Sequence, residues 1–346
     1  MSSPLQPSED WQQDLACILG GVPLQAQVRP RAFVMGSPVA WEDAVTQAGD
    51  LLRQSTRPAM LGLHTLTIES LRVIVTLARE HQGCLLPRPF LDSPLRLTQP
   101  ITLTATLGHL LHCPLLLGIG VKASQLPYHL PAKDQRFERL PDSLEMVLEL
   151  RQALKAGHED HPFIRLLSQQ PRTGVLLGWW CEERVASQWH RLAADLQHRT
   201  RMAVVSLPDP EALNFKGVEA VIAWQTACSI ATGGVSFFSG KPVSCSPWDV
   251  MLTQHRPGVV VDTSRTTTDF RGLGLEETRV IRIASSMDPT AAVSFVVPDL
   301  AIGTRGRVMR FDGQVLWLCA DPSQGQPDLT TLLLQEIYDA SRRTRV

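Results

Sequence analysis

No two cysteines of the chain stand close enough in sequence to form a metal-binding or redox pair. The 7 of them are scattered singly at positions 17, 84, 113, 181, 228, 245 and 319. An odd, dispersed set in a long chain excludes the disulfide framework of a small secreted domain. The simpler reading is of free thiols buried as small hydrophobes. Long apolar runs are missing as well: none approaches the ~18 residues needed to span a bilayer. Met1 to Asp10 is polar and acidic where a secretory signal would be apolar. A surplus of one charge is also lacking, with 33 Lys and Arg against 34 Asp and Glu and a net charge of −1. Without a basic surplus, nucleic acid and anionic lipid are poor partners. These absences lead to the expectation of a cytoplasmic protein with neither nucleic acid nor a membrane as its partner.

What is present is a unit that occurs twice. At 346 residues, 44% apolar and 19% charged, the chain has the composition of a globular protein able to build two or three lobes. In the first copy an amphipathic helix ends at Arg57-Pro58, an apolar strand runs from Ala59 and stops at Gly62, and a helix from Glu69 to His81 follows. The second copy passes through Gln170-Pro171-Arg172, a strand to Leu177-Gly178 and a helix from Glu183 to His198. Each ends in another strand, Gly83 to Leu86 and Met202 to Leu207. Helix–strand–helix–strand alternation predicts an α/β fold with mainly parallel sheets. A Gly at the carboxyl end of such a strand marks where doubly wound folds bind ligands.

In chain order, residues 1–36 read as an irregular lead-in, and Ser37 with Pro38 as the cap and first residue of a helix. Residues 37–157 and 258–302 are expected to form a first lobe and residues 158–257 a second. His158 to Pro162 serves as the hinge, and 303–346 form a small β element and a C-terminal helix. Val218 to Trp224 fits either a helix end or a strand. Val259 to Asp262, Val280 to Ala284 and Phe295 to Val297 read as further buried strands, and Asp312-Gly313 as a hairpin turn.

No motif by itself declares an active site. Gly118-Ile119-Gly120 lacks the third glycine and the acidic residue of a dinucleotide site. His109, His112 and Cys113 sit on one helical turn without a second ligand pair at zinc-like spacing. No G-x-S-x-G elbow is present. Trp179-Trp180, just past a strand, suits packing or an interface better than a pocket.

One stretch carries a resemblance. Asn214-Phe215-Lys216-Gly217, continuing to Trp224-Gln225-Thr226, closely resembles the N-x-x-G-x-x-x-x-x-x-W-Q-[ST] segment of the B subunit of formylmethanofuran dehydrogenase. Val297 to Gly313 looks like that family's closing I-P-x-A-I-x-G-x-E-A-x-G-T-x-Y-R-M-D-G element. Val39 to Ala44 is similar to its V-S-W-D-E-A helix, and Arg57-Pro58 with Gly62 to its R-P-x-x-Y-G strand. The order agrees over roughly residues 37–318. The resemblance implies two Rossmann-like lobes of the molybdopterin-oxidoreductase kind. It makes Asn214, Gly217, Trp224, Gln225, Thr226, Gly62 and Gly118 the candidates for a vestigial cofactor pocket.

The departures from the family bear on chemistry. Its dehydrogenases hold an iron–sulfur cluster on amino-terminal cysteines, and only Cys17 lies in that region here. Their Mo or W ligand, a Cys or selenocysteine followed by His, would fall in Leu91 to Leu97, which holds neither. Leu117-Gly118-Ile119-Gly120-Val121 stands in place of a W-G-C-N-P loop that touches a pterin phosphate. A strand with a D-P-R turn is expected to be missing between His129 and Leu140. Pro210 replaces an active-site Arg and offers no side-chain donor. What remains resembles the B subunit of the bacterial formyltransferase/hydrolase complex of tetrahydromethanopterin- and methanofuran-linked one-carbon metabolism. That likeness implies a structural subunit with no catalytic residues, no Mo/W-pterin, no Fe–S cluster and no metal. Its partners would be an amidohydrolase-like A subunit, a C subunit and a formyltransferase D subunit. Two alternatives are the B subunit of an active Mo/W formylmethanofuran dehydrogenase and a binding domain like the central domain of thiamine-diphosphate enzymes.

Overall fold

The computed structural model of the protein describes residues 30–87, 107–121, 130–131, 134–158, 160–178, 181–196, 200–207, 214–228, 234–245, 252, 256–264, 270, 272, 274–298, 305–309, 315–318 and 328–343. Both copies of the repeated unit fold as parallel α/β layers, in two different sheets. In the first copy, helix α1 (Trp41–Gln54) leads to β3 (Ala59–Leu61), α2 (Ile68–Glu80) and β4 (Cys84–Leu86). In the second, α5 (Pro162–Ser168) leads to β7 (Arg172–Leu177), α6 (Glu183–Leu196) and β8 (Arg201–Ser206). All three residues of β3 and of β4 are buried, as strands covered on both faces must be.

The larger sheet has nine strands. Its centre is parallel, in the order β4, β3, β11 (Val259–Asp262), β12 (Arg279–Ala284) and β13 (Val293–Val296). Antiparallel strands finish both edges. On one side stand β9 (Gly234–Ser236) and β10 (Val243–Cys245), and on the other β1 (Arg31–Val34) and β2 (Ser37–Val39). The second sheet is parallel throughout, in the order β6 (Arg136–Leu140), β5 (Leu115–Ile119), β7, β8. A two-stranded ribbon pairs β14 (Arg307–Met309) with β15 (Val315–Trp317).

One face of the nine-stranded sheet, with Met60, Val261, Ile281 and Phe295, buries against α1, α2, α7 (Phe215–Thr226) and the C-terminal α8 (Leu329–Arg342). Its other face carries Leu61, Leu86 and Val260 against Leu252 and Leu275. In the four-stranded sheet, Leu117, Val175 and Val204 pack beneath α4 (Leu144–Lys155), α5 and α6, with Trp189 fully buried among them. Helix α3 (Leu107–Leu111) lies on the opposite face, where Leu110 meets Leu116 and Leu176.

Several elements differ from the sequence expectations. Residues 31–34 belong to the sheet, because a four-residue strand held by an antiparallel ladder to β13 leaves almost no periodic trace. Ser37 and Pro38 lie in β2 at the sheet edge, where a proline's missing N–H costs no ladder bond. Helix α1 starts after an extended Ala40, with Glu42 and Asp43 in its first turn. The stretch expected to lack a strand before Leu140 contains β6, paired with β5 over its whole length.

Sheet membership also departs from the expected boundaries at residues 158 and 257. β5 and α4 go with β7 and α6, whereas α7, β9 and β10 return to the larger sheet. Pairing of β5 with β7 decides this, and no local pattern reports it. In the segment expected to be a hinge, His161 is the N-cap of α5, with its Nδ1 accepting from Phe163 N (3.3 Å) and Pro162 at the start of the helix. The range 218–224 is helical. The hairpin turn at Asp312-Gly313, residues 1–29 and Trp179-Trp180 lie outside the described residues. Among the described residues, no helix is long and apolar enough to cross a membrane.

Helix α8 closes the helical face. It packs on α1, where a Cβ added at Gly49 would stand 2.6 Å from Ala340 Cβ and 2.8 Å from its carbonyl carbon. Its N-cap Asp328 accepts bonds from Thr67 Oγ1 (2.6 Å), Ser70 Oγ (3.0 Å) and Thr331 Oγ1 (2.8 Å), joining the amino-terminal ends of α2 and α8. Gly49→Leu therefore forces the two helices apart. It is expected to destabilise the protein by about 1–3 kcal/mol, read as a lower midpoint in urea denaturation.

Candidate functional site

In the nine-stranded sheet the chain leaves β3 through α2 to β4 on one side, and leaves β11 for β12 on the other. The carboxyl ends of β3 and β11 thus flank the point where a parallel sheet of this type opens a ligand crevice. Gly62 lies there with φ +72°, and a side chain on it would overlap the backbone nitrogen of Ser264. Only a residue without Cβ lets the two loops touch this closely.

The polar groups at this edge bond to one another. Asp262 Oδ1 accepts from Ser264 N (2.9 Å) and Ser264 Oγ (2.6 Å), and its Oδ2 accepts from Arg282 Nη1 (2.6 Å). Asp262 and Arg282 are register partners on adjacent strands, and each side chain is 1% exposed. Thr263 Oγ1 donates towards the carbonyls of Leu61 and Gly62 (both 2.9 Å). Thr65 Oγ1 bonds Thr263 O at 2.6 Å. The carboxylate is engaged on both oxygens and these hydroxyls are turned onto carbonyls, so none of them is poised as base or nucleophile. Ser264 and Gly62 thus bring the loops after β3 and β11 into direct contact between the strand ends.

Asn214 stands beside this edge. Its main-chain N–H donates to His64 O (3.0 Å), and it precedes α7 without capping it by its side chain. The carboxamide makes two long-range bonds: Nδ2 donates to Leu66 O and Oδ1 accepts from Met309 N, both at 2.7 Å. A Cβ on Gly217 would overlap that carboxamide. The N-x-x-G spacing is thus explained by contact: the glycine leaves room for the asparagine one turn before it.

The other candidates diverge. Trp224 is 70% exposed, with the Arg72 guanidinium 4.9 Å from its ring centre. Gln225 offers its carbonyl to Arg79 Nη2 (2.9 Å). Thr226 turns inward, donating to Ile222 O (2.6 Å) and accepting from Cys228 N (3.1 Å) at the helix end. Gly118 lies within β5 in the other sheet, against Phe137. The structure therefore brings Asn214, Gly217 and Gly62 to one edge and sends Trp224, Gln225, Thr226 and Gly118 elsewhere.

Asp262, Ser264 and Arg282 are not legible as a group in the sequence. One signal exposes two of them: each is a charge set in an otherwise apolar strand, Val259 to Asp262 and Val280 to Ala284. Buried charges occur in pairs.

Among the described residues, four thiols are free and wholly or partly buried. Cys84, Cys113 and Cys181 are buried and Cys228 is half-buried. Burial and then the Asp142 carboxylate, to which its Sγ donates at 3.2 Å, push the Cys181 thiol well above the usual range. Burial likewise raises Cys113, whose Sγ donates to His109 O (3.3 Å) and so does not converge with the imidazoles of His109 and His112. Among the described residues, no three His, Cys, Asp or Glu side chains converge as metal ligands.

No protein-family model matches the sequence, and no curated protein matches it. The fold is nonetheless shared with a solved chain. A chain in the X-ray crystal structure of the formyltransferase/hydrolase complex from Methylorubrum extorquens, in complex with methylofuran, superposes with a TM-score of 0.67. The match covers 89% of this protein and 98% of that chain, at 18% sequence identity.

Two stability measurements check the crevice. Arg282→Met leaves Asp262 buried without its partner and should cost about 3–5 kcal/mol, whereas Arg282→Met combined with Asp262→Leu should return close to wild type. Urea denaturation of the four members of that cycle reads the coupling. Asn214→Ala strands the Leu66 carbonyl and the Met309 N–H, at about 1–3 kcal/mol for each group, and the loss appears in the same assay.

Proposed function

We propose that this protein is a structural, non-catalytic subunit of a formyltransferase/hydrolase assembly in methanofuran- and tetrahydromethanopterin-linked one-carbon metabolism, in the position of a B-type subunit. The observation that supports the reading is the contact between the loops that follow β3 and β11. In a fold shared with a chain of such a complex, the groups that would grip a cofactor are bonded to each other. Asp262 holds Arg282 and Ser264, and Gly62 admits the Ser264 backbone.

The sequence departures support the same conclusion. Leu91 to Leu97 carries no thiolate or imidazole for Mo or W, and Cys17 alone cannot bind a [4Fe–4S] cluster. On this reading the protein holds no pterin, Fe–S cluster or metal, and works through its neighbours. Those are an amidohydrolase-like subunit, a C-type subunit and a formyltransferase subunit.

Co-expression with these three subunits tests the proposal. The protein should elute with them as one stoichiometric particle, and Mo, W, Fe and pterin bound to the purified chain should be far below one per molecule. A stoichiometric metal or pterin would overturn the non-catalytic role. Elution apart from all three subunits would overturn membership of the assembly.

A further inference from the structure

The solvent side of α2 carries a connected row of side chains that the fold itself leaves uncovered. Glu69, Arg72 and Arg79 recur at three- and seven-residue spacing on its outer face. Arg72 stacks on Trp224 of α7 at 4.9 Å. Glu69 accepts from Arg307 Nε (2.5 Å) and from Arg307 N (2.9 Å), which fixes β14 against the helix. Arg307 in turn lies 5.2 Å from the ring centre of Trp317, its register partner on β15. Two contact pairs, Trp224 with Arg72 and Glu69 with Arg307 and Trp317, thus lie one turn apart on α2 and connect α7 and the ribbon to it.

This row sets two exposed indoles among charged side chains, and with two arginines to one glutamate it carries net positive charge. Trp224 is 70% exposed, Trp317 43% and Val315 48%. Arg307 is paired with Glu69, while Arg72 stacks on Trp224 and Arg79 donates to the Gln225 carbonyl; the next acid on the helix, Glu80, is bonded to Tyr338 on the α8 side. Tryptophan and arginine are the side chains most enriched at the energetic centres of protein interfaces. Stacking holds both arginines in place before any partner arrives, which lowers the entropy lost on binding.

We infer that this row is a docking surface for another subunit of the assembly, one that presents carboxylates around an apolar patch. The inference rests on the function proposed above and adds to it the face used and the chemistry of the partner. The excess arginine charge selects an acidic partner, and the two indoles supply the desolvated contact.

Titration calorimetry of the wild-type chain against the other subunits, purified together, tests it. Arg72→Glu and Trp224→Ala should each weaken binding about tenfold or more, as substitutions at an interface hot spot do. Met35→Ala, exposed but remote on the β1–β2 turn, should leave it unchanged. Binding should also weaken as salt rises, and unchanged thermal midpoints would show that the variants are folded. Wild-type binding that persists undiminished in both row variants would overturn the inference and leave the proposed function standing. No binding by the wild type would overturn both. If light scattering showed a dimer of this chain alone that the row variants dissociate, the occupant would be a second copy and the acidic subunit would be excluded.

Discussion

The carboxamide of Asn214 ties together three parts of the chain that are far apart in sequence. It donates to Leu66 after the first strand unit and accepts from Met309 in the C-terminal ribbon, while its own backbone begins α7. Its burial makes both bonds obligatory, since a main-chain group stripped of water and left unpaired costs more than the bond itself contributes. Met309 is in β14, which Glu69 also grips through Arg307, so α2, α7 and the ribbon are fixed as one block. The outer face of α2 inherits its rigidity from this junction.

The same economy of polar groups shapes the crevice beside it. A parallel sheet leaves its loops at the carboxyl ends of its strands, and there Asp262 accepts from Ser264 and Arg282 while Thr65 donates to the Thr263 carbonyl. A buried ion pair of this kind contributes little net stability, because desolvation offsets attraction. It does fix which strands lie side by side, because Asp262 and Arg282 meet only in the observed register of β11 and β12. These bonds tie the carboxyl ends of the strands to one another. What reaches outward is the surface of α2, α7 and β15.

Legibility follows the range of the interactions. Both helix–strand–helix–strand copies are visible, because α1, α2 and α6 each bury one stripe and β3, β4 and β7 are short apolar runs between turn residues. Thr67 is readable as a cap, and its side chain accepts from Ser70 N. The short outer strands β1, β2 and β6 are not readable, since three to five residues near a sheet edge need no apolar alternation. Of the candidate positions, Asn214 and Gly217 are picked out by the resemblance of their segment. Their purpose is not, because Asn214 acts on Leu66 and Met309, which lie 148 and 95 residues away.

The sequence by itself determined the α/β class, the two repeated units, and the absence of Cys and His from Leu91 to Leu97. Each of these is a matter of local periodicity or of residue type, which no fold can alter. Tertiary structure decided that β5 joins β7 and that Gly62 meets Ser264. It also set Asp262 against Arg282 and left Trp224, part of the most recognisable segment, in solvent. Such outcomes depend on strand order and register, which are fixed by the burial of whole faces against each other. Residues adjacent in sequence, such as Trp224, Gln225 and Thr226, can then be turned to three different surroundings by a single helix.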